Sequence, residues 1–176
     1  DEVMFASIIQ DLYPSCSKLI VQADHRLMPL FRRSFPNDID FRFRNERVSE
    51  DEYDSQIAMG SLPQHFRPNL ESFKFASKGY LFPDEKKAAR IRSDILQDGP
   101  EILIGVSWHS DSKRNKGAQK RTISLHKIAK VLAKPNVKLV SLQYGNVEQE
   151  IADVRKDLGI EVIQVPGIDN KEDLDG

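Results

Sequence analysis

The C-terminal part of the chain alternates short apolar runs with helical patterns, and this alternation constrains the fold more than any other feature. Three apolar runs are typical of buried parallel strands: residues 102–108, 137–144 and 161–165. Between them lie two segments with apolar side chains at helical spacing: residues 125–132 and 147–158. Ser124 and Asn146 are the expected N-caps of these helices, and Gly159 is the expected stop. The order β-α-β-α-β predicts an α/β fold containing half of a doubly wound parallel sheet.

The N-terminal part carries a less regular pattern of the same kind. Helices are expected at three places: residues 5–14, residues 25–35 after the N-cap Asp24, and residues 84–98 after the N-cap Asp84. Strands are expected at residues 18–23 and 38–44, the second with Ile39, Phe41 and Phe43 on one face, and a short strand at residues 56–59. Gly60 to Pro63 is expected to form a turn that opens a short helix.

A breaker pair, Gly99-Pro100, separates the two patterns. It predicts an N-terminal lobe over residues 1–98 and a C-terminal lobe over residues 101–176. The helix at residues 84–98 would then close the first lobe, with Ala88, Ile91 and Ile95 turned inward.

Charge balance and cysteine content exclude several classes of protein. The chain has 176 residues, and 26 Lys and Arg against 27 Asp and Glu give a net charge of −1, so no nucleic-acid partner is expected. Cys16 is the only cysteine, which excludes a disulfide framework and a cysteine-based zinc site. No apolar run reaches the roughly 18 residues of a membrane span. We expect a cytoplasmic protein, either free of membranes or peripheral to one.

The most informative segment follows the apolar run at residues 102–108. Five basic side chains lie between Lys113 and Arg121, and the next helix begins at Ser124. A cationic loop that leads into a helix N-terminus can bind a diphosphate, and Ser107 and His109 lie at its start. The competing interpretation is a solvated surface loop. In either case we expect residues 110–119 to be mobile without a ligand, because they lack apolar anchors.

Two further segments carry candidate chemistry. Leu142, Gln143 and Tyr144 lie at the carboxyl end of the next strand, where Gln143 and the Tyr144 ring could contact a base or a sugar, and Glu148 could reach ribose hydroxyls. Acidic residues in a first helical turn also favour the helix dipole, and this simpler interpretation fits Glu150 better than Glu148. At the N-terminus, the carboxylate of Asp1 either serves a helix dipole or acts as a general base.

Several segments in this order resemble a bacterial family. They are residues 1–7 (DEVMFAS), 60–63 (GSLP) with Phe66-Arg67, 79–81 (GYL), 104–108 (IGVSW), 121–125 (RTISL) and 141–145 (SLQYG). The family is the glycosyltransferase domain found behind tetratricopeptide repeats. It is similar to the lipopolysaccharide heptosyltransferases and more distantly to protein O-GlcNAc transferases. These proteins have the GT-B fold, in which two Rossmann-like lobes face each other across a cleft.

The resemblance implies transfer of a hexosyl or heptosyl group from a nucleotide-sugar to a glycan or protein acceptor, with no metal and no cofactor. Asp1 would be the base that activates the acceptor hydroxyl. Lys120 and Arg121 would hold the diphosphate, together with Ser107 and His109. Residues 142–145 would form the wall beside the nucleobase. The acceptor side would include three consecutive residues: Gly60, Ser61 and Leu62.

The resemblance also implies that both lobes are truncated in this chain. Tetratricopeptide repeats would lie upstream, and a His-containing turn that closes over the donor phosphates would lie downstream. We therefore expect that the 176 residues alone do not turn over a donor. The alternative function is a non-catalytic α/β module that binds a nucleotide or a protein.

Overall fold

The computed structural model of the protein describes residues 1–73, 79–96, 102–109, 122–169 and 171–175. The chain is α/β, with parallel strands in two small sheets. Its contacts group residues 1–84 and Asp175 into one compact unit, the N-terminal unit, and residues 85–174 into a second, the C-terminal unit. The expected boundary at Gly99-Pro100 lies outside the described residues, and the helix before it packs with the C-terminal unit.

The N-terminal unit opens on a helical segment that alternates between two helix types. Helix α1 (Glu2–Phe5) and helix α2 (Ile9–Leu12) are joined by the 3₁₀ turn Ala6–Ile8 and followed by the 3₁₀ turn Tyr13–Ser15. The helix predicted from the apolar spacing is therefore present, and its buried side chains are those of Ala6, Ile8 and Ile9.

A β-α-β unit follows this segment. Strand β1 (Ile20–Ala23) pairs in parallel with strand β2 (Asp40–Phe43), and helix α3 (Met28–Ser34) lies between them in the chain. Three aromatic rings pack together in the core, with the ring centroids of Phe31, Phe35 and Phe41 within about 6 Å of one another. The prediction that Phe43 lies on the same buried face of the strand as Phe41 is wrong. Its side chain is 48% exposed, because the strand ends at this residue, beyond the core.

The segment from residue 45 to residue 73 consists of turns and short helices. It contains the 3₁₀ turns Glu50–Glu52, Met59–Ser61 and Leu70–Ser72, and helix α4 (Pro63–Phe66). The predicted strand at residues 56–59 is wrong. The Ser61 and Leu62 N–H groups bond to the carbonyls of Ala58 and Met59, at 2.8 and 3.2 Å. Local turn bonds thus satisfy groups that a strand would have to pair with a neighbour.

The contacts of Glu52, in the turn Glu50–Glu52, indicate how the stability of the N-terminal unit depends on pH. Hydrogen bonds from Arg42 and from the Ser49 N–H lower the pKa of Glu52 from 4.5 to about 2. A carboxylate whose pKa falls on folding contributes stability above its unfolded pKa, and that contribution is lost as the pH falls from 4.5 toward 2. Glu52→Gln should therefore lower the melting temperature at neutral pH. Between pH 4.5 and about pH 2, the melting temperature of this variant should fall less than that of the parent protein. Circular dichroism melts test this against Glu50→Gln, which should behave as the parent protein.

The C-terminal unit contains the predicted β-α-β-α-β order. Its elements are helix α5 (Glu85–Leu96), strand β3 (Ile102–Val106), helix α6 (Leu125–Leu132), strand β4 (Val137–Ser141), helix α7 (Glu148–Leu158) and strand β5 (Val162–Ile163). The strands form a parallel sheet in the order β3-β4-β5. One core cluster joins this sheet to α6 and α7 through Trp108, Leu125, Leu139 and Val154.

Capping in this unit follows prediction at two of three positions. The Ser124 side chain accepts the Lys127 N–H, and Gly159 ends α7 in the left-handed region with φ of 67°. The prediction of Asn146 as N-cap is wrong, because Val147 occupies that position. Val147 is fully buried, so the packing of its side chain decides where the helix begins.

No helix in the described part of the chain is both long enough and apolar enough to span a lipid bilayer.

Candidate functional site

The exits of β3 and β4 lie side by side at the carboxyl edge of the three-stranded sheet. Val106 is the register partner of Ser141, and the Leu142 N–H extends the ladder to the Val106 carbonyl at 2.9 Å. The residues that follow the two strands, 107–109 and 142–145, are therefore neighbours. Open α/β sheets bind their ligands at this edge.

Gln143 connects the two strand exits through the hydrogen bonds of its side-chain amide. Its Oε1 accepts hydrogen bonds from the Trp108 N–H at 2.9 Å, the His109 N–H at 3.1 Å and the Ser107 hydroxyl at 3.0 Å. Its Nε2 donates to the carbonyls of His109 and Tyr144, at 3.0 and 3.2 Å. The side chain is 4% exposed. Gln143, predicted to contact a base or sugar, thus uses its amide to set the backbone from which Ser107 and His109 project.

Glu150 is a second element of this edge. The Trp108 indole N–H donates to Glu150 Oε2 at 2.7 Å, and His109 Nε2 lies 3.6 Å from Oε1. The carboxylate therefore holds the buried indole and lies beside the imidazole. Sequence reasoning assigned Glu150 to the helix dipole and missed this role. A signal was available: a tryptophan at the end of a buried strand needs an acceptor for its indole N–H.

A cavity of about 590 Å³ is bordered by α5 and the sheet of the C-terminal unit, and it reaches the exit of β4. Its apolar lining comes from α5, from β3 and β4, and from the segment after β5, with Ile91, Leu103, Leu142 and Val165 among its residues. Cavities of this size and character commonly hold small ligands. Gln143, Tyr144 and Gly145 also line it, so most of the predicted base-side wall borders an open space.

Leu142 reaches this cavity by passing over Gly105. A Cβ atom at position 105 would lie 2.5 Å from Leu142 Cδ1, so a larger residue would displace the leucine. The Leu142 side chain is 53% exposed and lines the cavity. Glu148, the other predicted contact, is exposed in the first turn of α7.

Lys120 and Arg121 lie outside the described residues, as do the residues 110–119 that were expected to be mobile. The chain beyond them returns to the same edge, where the Ile123 N–H bonds to the Trp108 carbonyl at 2.9 Å. Helix α6, capped by Ser124, therefore begins beside the exit of β3. Its N-terminal N–H groups form a partial positive charge at this edge.

The N-terminal unit brings together the other predicted residues. Asp1 is exposed at the start of α1, and its side chain makes no capping bond. Helix α1 packs against the turn Met59–Ser61, where a Cβ atom at Gly60 would meet the Phe5 ring at 3.6 Å. Leu62 is buried, and Ser61 is half-buried. Helix α1, whose N-cap is Asp1, and the turn that contains Gly60 and Ser61 are thus neighbours.

An ionic network holds α1 at the carboxyl edge of β1 and β2. Glu2 accepts the Asp24 N–H at 2.8 Å and forms an ion pair with Arg44. Asp24 binds the Arg26 guanidinium, whose hydrogen bonds keep the pKa of this carboxyl well below its usual range. Glu2 therefore ties the helix to the ends of both strands. Among the described residues, no group of three His, Cys, Asp or Glu side chains is arranged to hold a metal ion.

A known protein resembles this chain, and the similarity extends over nearly the whole length of the chain. The chain is similar to Protein FlbA. FlbA is from Caulobacter vibrioides (strain ATCC 19089 / CIP 103742 / CB 15), and it is 33% identical over 190 aligned residues. The alignment covers 99% of this chain and 32% of FlbA, so the chain spans about a third of that relative's length. No family model and no solved structure matches the chain.

Proposed function

We propose that the chain belongs to a glycosyltransferase that moves a sugar from a nucleotide-sugar to an acceptor hydroxyl, and that its units are the two lobes of a GT-B fold. The observation that carries the proposal is the cavity that α5 and the β3-β4-β5 sheet border and that reaches the exit of β4. Open α/β sheets bind nucleotides at such strand exits, and Leu142 and Tyr144 at the exit of β4 line the cavity. A nucleobase is flat and largely apolar, which suits this lining.

The proposed reaction is a displacement at the anomeric carbon of the donor sugar. The acceptor hydroxyl attacks the anomeric carbon while the bond from that carbon to the diphosphate oxygen breaks. Asp1 takes the hydroxyl proton, and its exposed carboxylate without a capping bond suits that task. The leaving diphosphate accumulates negative charge, which Lys120, Arg121 and the N-terminus of α6 would stabilise.

The phosphate site is tested by binding. Arg121→Ala should raise the dissociation constant for the nucleoside diphosphate by about ten- to a hundredfold, because a charge-assisted hydrogen bond contributes about 1.5–3 kcal/mol. Titration calorimetry with UDP, GDP, ADP, CDP and dTDP identifies the base first and then measures this change. Lys113→Ala is the matched control, since Lys113 lies eleven residues before the N-cap Ser124 and should change the constant by less than about twofold. Equal and negligible effects would remove the phosphate site from this loop.

Catalysis is tested separately from binding. The matching nucleotide-sugars are offered with glycan and peptide acceptors to the full-length protein, because the 176 residues alone are not expected to turn over a donor. Sugar transfer is followed by mass spectrometry. Transfer that is lost in Asp1→Asn, with nucleoside diphosphate binding retained, supports the proposed enzyme. Nucleotide binding without sugar transfer from any donor supports the alternative, a nucleotide-binding module.

A further inference from the structure

Helix α5 lines one side of the cavity in the C-terminal unit. Four of its side chains face the cavity: Ala88, Ile91, Arg92 and Ile95. The sequence predicted Ala88, Ile91 and Ile95 as inward residues of a packed helix. In the structure Ala88 is exposed and the two isoleucines are half-buried, so their stripe borders open space. The helix therefore contributes a wall to a ligand-sized cavity rather than a face of a core.

Arg92 is the cationic side chain on this wall. It has no hydrogen bond or ion pair among the described residues, whereas Arg26, Arg42 and Arg67 of the N-terminal unit are each held by carboxylates. Arg90, two residues earlier on the same helix, is exposed like Arg92 but does not line the cavity. A guanidinium beside an apolar cavity can bind two oxygens of one anionic group in a planar fork.

A carboxylate lies on another part of the same lining. Asp169 follows β5, and its Oδ1 accepts the N–H groups of Lys171 and Glu172, at 2.9 and 3.2 Å. These bonds hold the pKa of Asp169 below its usual value, so the carboxylate stays negatively charged. The cavity thus has a cation on α5, an anion after β5 and apolar side chains between them. Such a distribution orients a ligand whose one end is anionic.

We propose that Arg92 binds the phosphate that is attached to the nucleoside, and that the nucleoside occupies the apolar part of the cavity. This inference rests on the proposed function, because it takes the ligand to be a nucleotide. It assigns a phosphate contact to α5, in addition to the loop that contains Lys120 and Arg121. The negative charge of Asp169 would keep the phosphate away from the other side of the cavity.

The experiment compares ligands that differ only in phosphate. Titration calorimetry measures the nucleoside, its monophosphate and its diphosphate, for the base that binds best among uracil, guanine, adenine, cytosine and thymine. Arg92→Gln should raise the dissociation constant of the monophosphate about tenfold and leave that of the nucleoside within about twofold. Arg92→Lys should show a smaller loss, because lysine keeps the charge without the fork. Arg90→Gln is the matched control and should change neither constant.

The outcomes separate this inference from the function on which it rests. An equal loss for nucleoside and monophosphate in Arg92→Gln would overturn it, since Arg92 would then contact the base or ribose. Nucleotide binding that depends on Arg121 but not on Arg92 would overturn it and leave the proposed function standing. If no nucleotide in the panel binds, both are overturned. Circular dichroism melts of each variant establish that the fold is retained.

Discussion

Replacing Gln143 with leucine is expected to lower the free energy of unfolding of the C-terminal unit by about 4 kcal/mol. The glutamine side chain is buried and joins five polar groups on the exits of β3 and β4. Leucine has a similar volume and fills the space but satisfies none of these groups. The Trp108 N–H would then be buried without an acceptor, and one such group costs about 1–3 kcal/mol.

Trp108 makes this measurement specific to one unit. It is the only tryptophan in the chain, it is 2% exposed, and its indole N–H is bonded to Glu150. Its fluorescence during urea unfolding therefore reports the C-terminal unit and not the N-terminal one. The slope of the transition should be unchanged, while its midpoint moves to lower urea.

Gln149→Leu is the matched control. Gln149 is exposed in helix α7 and bonds to Asp153 one turn later, so its loss should change the unfolding free energy by less than about 0.5 kcal/mol. Gln143→Glu gives a second test, since a carboxylate keeps an acceptor but turns a negative charge toward the carbonyls of His109 and Tyr144. Its destabilisation should diminish as acid protonates the new group. Equal unfolding midpoints for Gln143→Leu and Gln149→Leu would contradict the stabilisation of the β3 and β4 exits by Gln143.

The existence of most helices and strands follows from periodicity, but their ends do not. Strand β3 stops at Val106 although the apolar run continues to Trp108, because the ladder to β4 ends there. Phe43, Asn146 and residues 56–59 were misjudged for related reasons. In each case a local preference was outweighed by where the core ends, by the burial of a neighbouring side chain or by turn hydrogen bonds.

The candidate site shows the same division. The rule that parallel strands end at a shared edge was enough to bring Ser107 and His109 together with Gln143. That rule does not predict which side chains point into open space and which form hydrogen bonds within the protein. Gln143 and Glu150 took internal bonds, while α5, assigned to the other lobe by a breaker pair, lines the cavity. Apart from the acceptor that a buried tryptophan needs, these outcomes depend on three-dimensional packing that has no local sequence signature.

Replacing Arg67 with methionine is expected to destabilise the N-terminal unit by about 3 kcal/mol. The guanidinium binds Asp11 Oδ2 at 2.7 Å, and the hydroxyl and carbonyl of Ser7 at 2.9 Å each. It also lies over the Phe73 ring, 5.5 Å from its centroid. Its side chain is 18% exposed, so these bonds are only partly screened by water. Arg67 thereby ties the segment that carries Gly60, Ser61 and Leu62 to the helical segment that begins at Asp1.

Hydrogen exchange followed by mass spectrometry resolves where this loss falls. Arg67→Met should speed amide exchange in residues 2–15 and 61–67, because the helical hydrogen bonds there depend on the contacts of the Arg67 side chain. Strands β3 and β4 should exchange at the same rates as in the parent protein. Arg47→Met is the control, because Arg47 is exposed and has no hydrogen bond or ion pair among the described residues. Arg67→Lys should be intermediate, since an ammonium group cannot reach Asp11 and both Ser7 acceptors in one plane. Unchanged exchange in residues 2–15 of Arg67→Met would mean that apolar packing alone, with the Phe5 ring against Gly60, holds the proposed acceptor segment beside α1.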